Sequence, residues 1–223
     1  MSSFELIIFD CDGVLVDSER LTAKVFANVI FEECGLSYSL NELTSNFMGK
    51  SSKQCLEIIE SKLGHKPPDG LEHRYKTDIN NALSKSVEKI SGIDIALQKI
   101  SIPYCVASGG SLEKIHLTLS KTHLFRYFDG NIFSASDVSR PKPFPDIFLH
   151  AATSMGCQDP SRCLVIEDSP HGVEGGVAAG MNVFGFADLI TSEKLVQSGA
   201  HHIITDMSKL ANEIESYDSD IRV

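Results

Sequence analysis

Four short apolar runs constrain this chain more than any other feature. They are Leu6-Ile7-Ile8-Phe9, Tyr104-Cys105-Val106-Ala107, Cys163-Leu164-Val165-Ile166 and Asn182-Val183-Phe184-Gly185-Phe186. Each is too short for a helix, and none shows the polar alternation of a strand with one wet face. Such strands must be covered on both sides, which is the condition of a parallel sheet flanked by helices. The intervening stretches carry helical spacing: Ile93–Ile100, Leu112–Thr122, Asp146–Met155 and Val173–Ala179. Gly130-Asn131-Ile132-Phe133 and His202-Ile203-Ile204 read as two further strands. The fold class expected is α/β, a Rossmann-like parallel sheet.

The stretch from Asp17 to about Lys89 breaks this rhythm. Leu21, Val25, Phe26, Val29 and Ile30 follow a helical period, and no strand signal interrupts them. Ser39-Leu40-Asn41-Glu42 and Ser51-Ser52-Lys53-Gln54 match the capping box, each opening a helix. Gly64 to Gly70, with Pro67 and Pro68, reads as a loop before a last helix near Leu71–Ser86. The expected division is a core of residues 1–16 and 90–223 with an α-helical insert of about four helices at 17–89. Ser216–Val223 is expected to fray.

Composition narrows the function. Thirty acidic against twenty basic residues give a net charge of −10, which argues against a nucleic-acid groove. It does not oppose a phosphorylated substrate, because a bound divalent cation reverses the local field. No stretch approaches the about 20 apolar residues of a membrane span, and no secretory signature opens the chain. The six cysteines form no CxxC pair, so zinc is not expected and a reducing cytoplasm fits.

In open α/β sheets, ligands bind at the carboxyl ends of the strands. That rule gathers four segments: Asp10 and Asp12, Ser108 to Ser111, Asp137 to Lys142, and Glu167-Asp168-Ser169. Asp10 and Asp12, two residues apart, leave the strand from the same side. Gly13 then permits a tight turn and a close approach to a bound group. Paired acids beside such a backbone suit Mg²⁺, phosphate and an acid–base cycle.

With these segments in order, the chain resembles the haloacid dehalogenase superfamily. The motifs that carry the likeness are Phe9-Asp10-Cys11-Asp12-Gly13-Val14-Leu15-Val16-Asp17-Ser18-Glu19, Val106-Ala107-Ser108-Gly109, Pro141-Lys142-Pro143-Phe144-Pro145-Asp146 and Val165-Ile166-Glu167-Asp168-Ser169. The insert looks like the helical cap of the β-phosphoglucomutase-like and sugar-phosphate phosphatase subgroup. The resemblance implies that Asp10 is the nucleophile, forming an aspartyl-phosphate. It implies that Asp12 is the general acid and base, in surroundings that favour its protonated form. Mg²⁺ is implied at Asp10, the Asp12 carbonyl and Asp168, with Glu167 a further metal candidate acting directly or through water. Ser108 and Gly109 would hold phosphate, and Lys142 would bind it and neutralise charge beside Asp10. A cis Lys142–Pro143 bond would aim that lysine. Lys50, Ser51 and Glu19 are candidate substrate contacts, with Gly49-Lys50-Ser51 in the position where the subgroup places a specificity loop.

Dehalogenases do not need the second acid, and Asp12 is present. β-Phosphoglucomutases carry a Tyr-His pair after the first motif, absent from Asp17-Ser18-Glu19-Arg20-Leu21. The expected function is therefore a Mg²⁺-dependent phosphatase of small phosphorylated metabolites, and the overall pattern resembles sugar-phosphate phosphatases acting on 6-phosphogluconate and similar compounds. It is expected to work as a monomer without nucleic-acid or membrane partners, its insert closing over the core on hinges near Val16–Glu19 and Ser86–Gly92. A phosphosugar mutase and a non-catalytic phosphate sensor remain as alternatives. His201-His202 is read as a strand-edge pair, and Gly172, Gly175, Gly176 and Gly180 as helix–sheet packing rather than a phosphate loop.

Overall fold

The structure, a computed structural model, describes residues 3–47 and 50–220. β1 (Leu6–Phe9) leads into α1 (Ser18–Cys34), α2 (Leu40–Asn46), α3 (Ser52–Leu63) and α4 (Leu71–Ser86). Then come α5 (Ile93–Lys99), β2 (Tyr104–Ser108), α6 (Leu112–Lys121), α7 (Phe125–Phe128), β3 (Ile132–Ser134) and α8 (Asp146–Ser154). The chain finishes through β4 (Cys163–Glu167), α9 (Pro170–Ala178), β5 (Asn182–Phe186), α10 (Ser192–Gln197), β6 (His202–Ile204) and α11 (Leu210–Asp220).

Two compact units result: Met1–Asp17 with Glu88–Val223, and Ser18–Val87. The first holds a six-stranded sheet in the order β3-β2-β1-β4-β5-β6, every pairing parallel. β1 is central, with Ile8 in register with Cys105 on one side and Val165 on the other. The sequence order of neighbours reverses at β1 and β4, so the crevice beyond their carboxyl ends is the natural ligand position. Leu6, Ile8, Val165 and Val183 are buried against Phe148, Ile147 and Val173 of the covering helices. The four inner strands β2, β1, β4 and β5 are buried almost throughout, which explains why they read as unbroken apolar runs.

The second unit has its own core, in which Val29, Ile30, Leu43, Phe47, Ile59 and Leu71 are buried. Both capping boxes form: Ser39 accepts from the Glu42 N–H and Ser51 from the Gln54 N–H, while the Glu42 and Gln54 side chains accept from the cap N–H groups. Gly49 of the proposed specificity loop lies outside the described residues.

One expectation needs correcting. Residues 216–220 do not fray but complete α11. Leu210, Ala211 and Ile214 are buried, the Ser3 N–H donates to Asp218 at 2.9 Å, and Tyr217 packs on Phe4 and Phe184. Residues 221–223 lie outside the described part. Among the described residues no helix is long and apolar enough to cross a membrane.

Candidate active site

β1 ends by handing the chain to Asp10, whose N–H donates to the Ile166 carbonyl of β4 at 3.0 Å. This bond holds Asp10 beside Glu167 and Asp168 at the end of β4. Carboxylate oxygens of the three residues lie within 4.8 Å of one another, and all three side chains are buried. Gly13 makes room for this cluster: its φ is +77°, and a Cβ there would lie 2.0 Å from Asp168 Oδ2. Gly172 does the same for Glu167, where a Cβ would fall 1.9 Å from the carboxyl carbon.

Three buried acids need a cation, and Lys142 supplies one. Its Nζ donates to Asp10 Oδ1 at 2.7 Å, Glu167 Oε1 at 2.6 Å and the Ala107 carbonyl at 3.1 Å, satisfying all three of its protons. The ammonium also sits 4.9 Å from the centre of the Phe148 ring. The Lys142–Pro143 peptide is cis. Burial works to lower the Lys142 pKa, but Asp10 and Glu167 outweigh it and hold the ammonium well above the ordinary lysine range. Asp10 is the reverse case. Burial pushes its carboxyl up to about 7; Lys142 opposes the rise, while Glu167 and Asp12 add to it.

Glu167 has no exposed surface. One oxygen takes Lys142, and the other accepts from the N–H groups of Asp168 and Ser169 and from the Ser169 hydroxyl. Its hydrogen bonds make it a support for Lys142 and for the turn after β4.

Ser108 closes β2 and is buried, its Oγ accepting from the Gly110 N–H at 3.2 Å. The Gly110 carbonyl accepts from Ser134 Oγ at 2.7 Å, which ties the loop to the end of β3. Beside Gly109 there is open space. Asp12 meets a residue the sequence reading did not single out: Lys114 Nζ donates to Asp12 Oδ2 at 2.8 Å. A signal existed in the sequence. Lys114 is a cation in the first turn of a helix, where acids are favoured. Cys11, between the two acids, is no rival nucleophile: burial, then Asp12 and Asp10, hold its thiol far above the usual range.

The first unit therefore brings together Asp10, Glu167, Asp168 and Lys142, while Ser108 Oγ accepts from the Gly110 N–H and Asp12 Oδ2 lies beside the same glycine. Glu19, Lys50 and Ser51 belong to the second unit. Glu19 lies in the first turn of α1, and Ser51 caps α3. Lys50 is exposed and lines a cavity of about 390 Å³ with Gln54, Glu57, Ile58, Ser61 and Lys62. Of the features set aside, His202 pairs with Glu213 and His201 accepts from the Val183 N–H. Gly176 packs on the sheet, where a Cβ would lie 2.8 Å from Val183.

Comparison with known proteins places the chain in a family. Residues 7–186 match the family model described as haloacid dehalogenase-like hydrolase. The 6-phosphogluconate phosphatase of Escherichia coli (strain K12) is 32% identical over 187 residues, spanning 83% of this chain and 84% of that protein. A haloacid dehalogenase-like protein of unknown function from Agrobacterium tumefaciens superposes with a TM-score of 0.89 at 37% identity, covering 96% of this chain and 99% of that one. A family hydrolase from Deinococcus radiodurans, solved with bound phosphate and sodium, gives 0.87 at 30% identity and covers 98% of both chains. On sequence, fold and the order of its strand-end residues, the chain belongs to the haloacid dehalogenase-like hydrolase family.

Proposed function

We propose that this protein is a Mg²⁺-dependent phosphatase of small phosphorylated metabolites, sugar phosphates of the 6-phosphogluconate kind foremost. The observation that carries the reading is the buried Asp10 carboxylate held 2.7 Å from the Lys142 ammonium inside an acidic cluster at the strand ends. The likeness to a 6-phosphogluconate phosphatase supports the substrate class.

The donor set fits Mg²⁺. It consists of hard oxygens from few residues, in a cradle that a side chain at position 13 would fill. Asp10, Asp168 and the Asp12 carbonyl would hold the ion, while Glu167 acts through Lys142. When bound, Mg²⁺ supplies positive charge that offsets the phosphoryl oxygens.

The remaining work falls to the chain. An Asp10 oxygen attacks phosphorus, and the bond from phosphorus to the leaving oxygen breaks as the aspartyl-phosphate forms. Asp12 gives its proton to the leaving oxygen. It then takes a proton from the water that attacks phosphorus, returning Asp10 and releasing phosphate. Lys142 favours the ionised, nucleophilic Asp10 against the burial that opposes it. Ser108 and Gly109 bind the phosphoryl oxygens. Selection among leaving groups is assigned to the second unit through Lys50, Ser51 and Glu19.

The test is phosphate release from p-nitrophenyl phosphate. We expect release that needs Mg²⁺, stops with a chelator and is abolished in Asp10→Asn. Release that persists in folded Asp10→Asn would refute the nucleophile. Supplying hexose 1-phosphate addresses the mutase alternative: free phosphate supports hydrolysis, and hexose 6-phosphate would overturn it. Lys50→Ala is expected to weaken action on an acidic sugar phosphate more than on a neutral one.

A further inference from the structure

Lys114 stands where helix physics would not choose a cation. Ser111 caps α6, its hydroxyl accepting from the Lys114 N–H, so Lys114 is the third residue of the helix. The partial positive charge of a helix N-terminus favours acids there, as at Glu113, and disfavours an ammonium. What the ammonium gains is Asp12, whose Oδ2 it reaches at 2.8 Å across 102 residues of sequence. Neither partner is fully solvated, with side-chain exposures of 37% and 24%. The approach is built into the backbone. A Cβ on Gly110 would lie 3.5 Å from Lys114 Cδ, 3.5 Å from Ser108 Oγ and 3.7 Å from Asp12 Oδ2. Three functional groups thus meet over one glycine, itself anchored by Ser134.

We infer that Lys114 is a positioning residue for proton transfer. By holding one oxygen of Asp12 it limits rotation of the carboxyl, so the acid is already oriented when the leaving oxygen needs its proton. The inference rests on the assignment of Asp12 as the acid–base group in the phosphatase reading. Lys142 cannot share this task, because its three protons go to Asp10, Glu167 and Ala107. A carboxyl with one anchor fewer samples more unproductive rotamers, and small misplacements cost rate.

The role has a signature that a purely structural contact lacks. An alkoxide must be protonated as it leaves, whereas p-nitrophenolate departs unaided. Benzyl phosphate and p-nitrophenyl phosphate, similar in size, separate the two cases. The step to follow is leaving-group release in the first turnover, by rapid quench of the Mg²⁺-loaded enzyme, because the later attack of water is common to both. Lys114→Met is expected to slow benzyl alcohol release by about 10- to 100-fold, within the range of a proton-transfer contribution, and to leave p-nitrophenolate release nearly unchanged. Lys114→Arg should recover much of the loss. In an Asp12→Asn background, Lys114→Met should cost nothing further.

Equal slowing with both substrates, no slowing with either, or an added loss in the Asp12→Asn background would overturn the inference. Lys114→Gln carries the same comparison if the methionine variant does not fold. A wild-type enzyme inactive on both substrates would overturn the phosphatase reading, and this inference with it.

Discussion

Gly13 decides whether Asp168 has anywhere to sit. With a φ of +77° and Asp168 Oδ2 only 2.0 Å from the place of a Cβ, Gly13→Ala is both strained and obstructed. We expect a destabilisation of about 1–3 kcal/mol from the backbone alone, and loss of the stabilisation by added Mg²⁺, both read from melting curves. Lys142→Met removes the cation from two buried acids, and the expected cost is about 3–5 kcal/mol in denaturant unfolding. A cost below 1 kcal/mol would mean that Asp10 and Glu167 do not depend on Lys142. Asp10 also sets a pH dependence. Its carboxyl is raised from 3.8 to about 7, so the folded state keeps a proton that the unfolded chain has released. For this group, stability of the metal-free protein falls as pH rises from about 4 to about 7. At the Mg²⁺ site proposed on Asp10 the ion would compete with this proton, so the rise in melting temperature on adding Mg²⁺ should be larger at the upper end of that window. An equal rise at both ends would contradict this.

At the scale of elements, the inner strands were legible because burial on both faces leaves little polar in them. Cys163–Glu167 and Asn182–Phe186 could be read almost residue by residue. The candidate residues at their ends were legible for the same reason, since Asp10, Ser108 and Glu167 each follow an apolar run directly. Lys114 escaped because its partner lies in another strand–turn junction, and helical periodicity treats it as an ordinary exposed lysine. α7 and α10 are too short to show a period. α11 is mostly polar, and its support includes the chain's opposite end through Ser3 and Asp218. The capping boxes were legible because they need only four consecutive residues. Ser51→Ala is expected to cost about 1 kcal/mol in thermal or urea unfolding, from lost capping of α3.

For the whole molecule, the division into two units has a structural basis at the junction. The Asp17 N–H donates to the Glu88 carbonyl at 2.8 Å, so the Ser18–Val87 unit leaves and rejoins the first unit at adjacent points. Each unit buries its own apolar cluster. Replacing residues 18–87 with a short Gly/Ser linker is therefore expected to leave a cooperatively melting α/β domain that still hydrolyses p-nitrophenyl phosphate but has lost its preference among sugar phosphates. The central claim is that Asp10 takes the phosphoryl group. The most direct measurement is acid quench during turnover, followed by mass mapping of peptides. The expected result is one added phosphoryl mass on the peptide carrying Asp10, absent in Asp10→Asn and without Mg²⁺. Full turnover with no phosphorylated Asp10 peptide, or with the label on another residue, would contradict it.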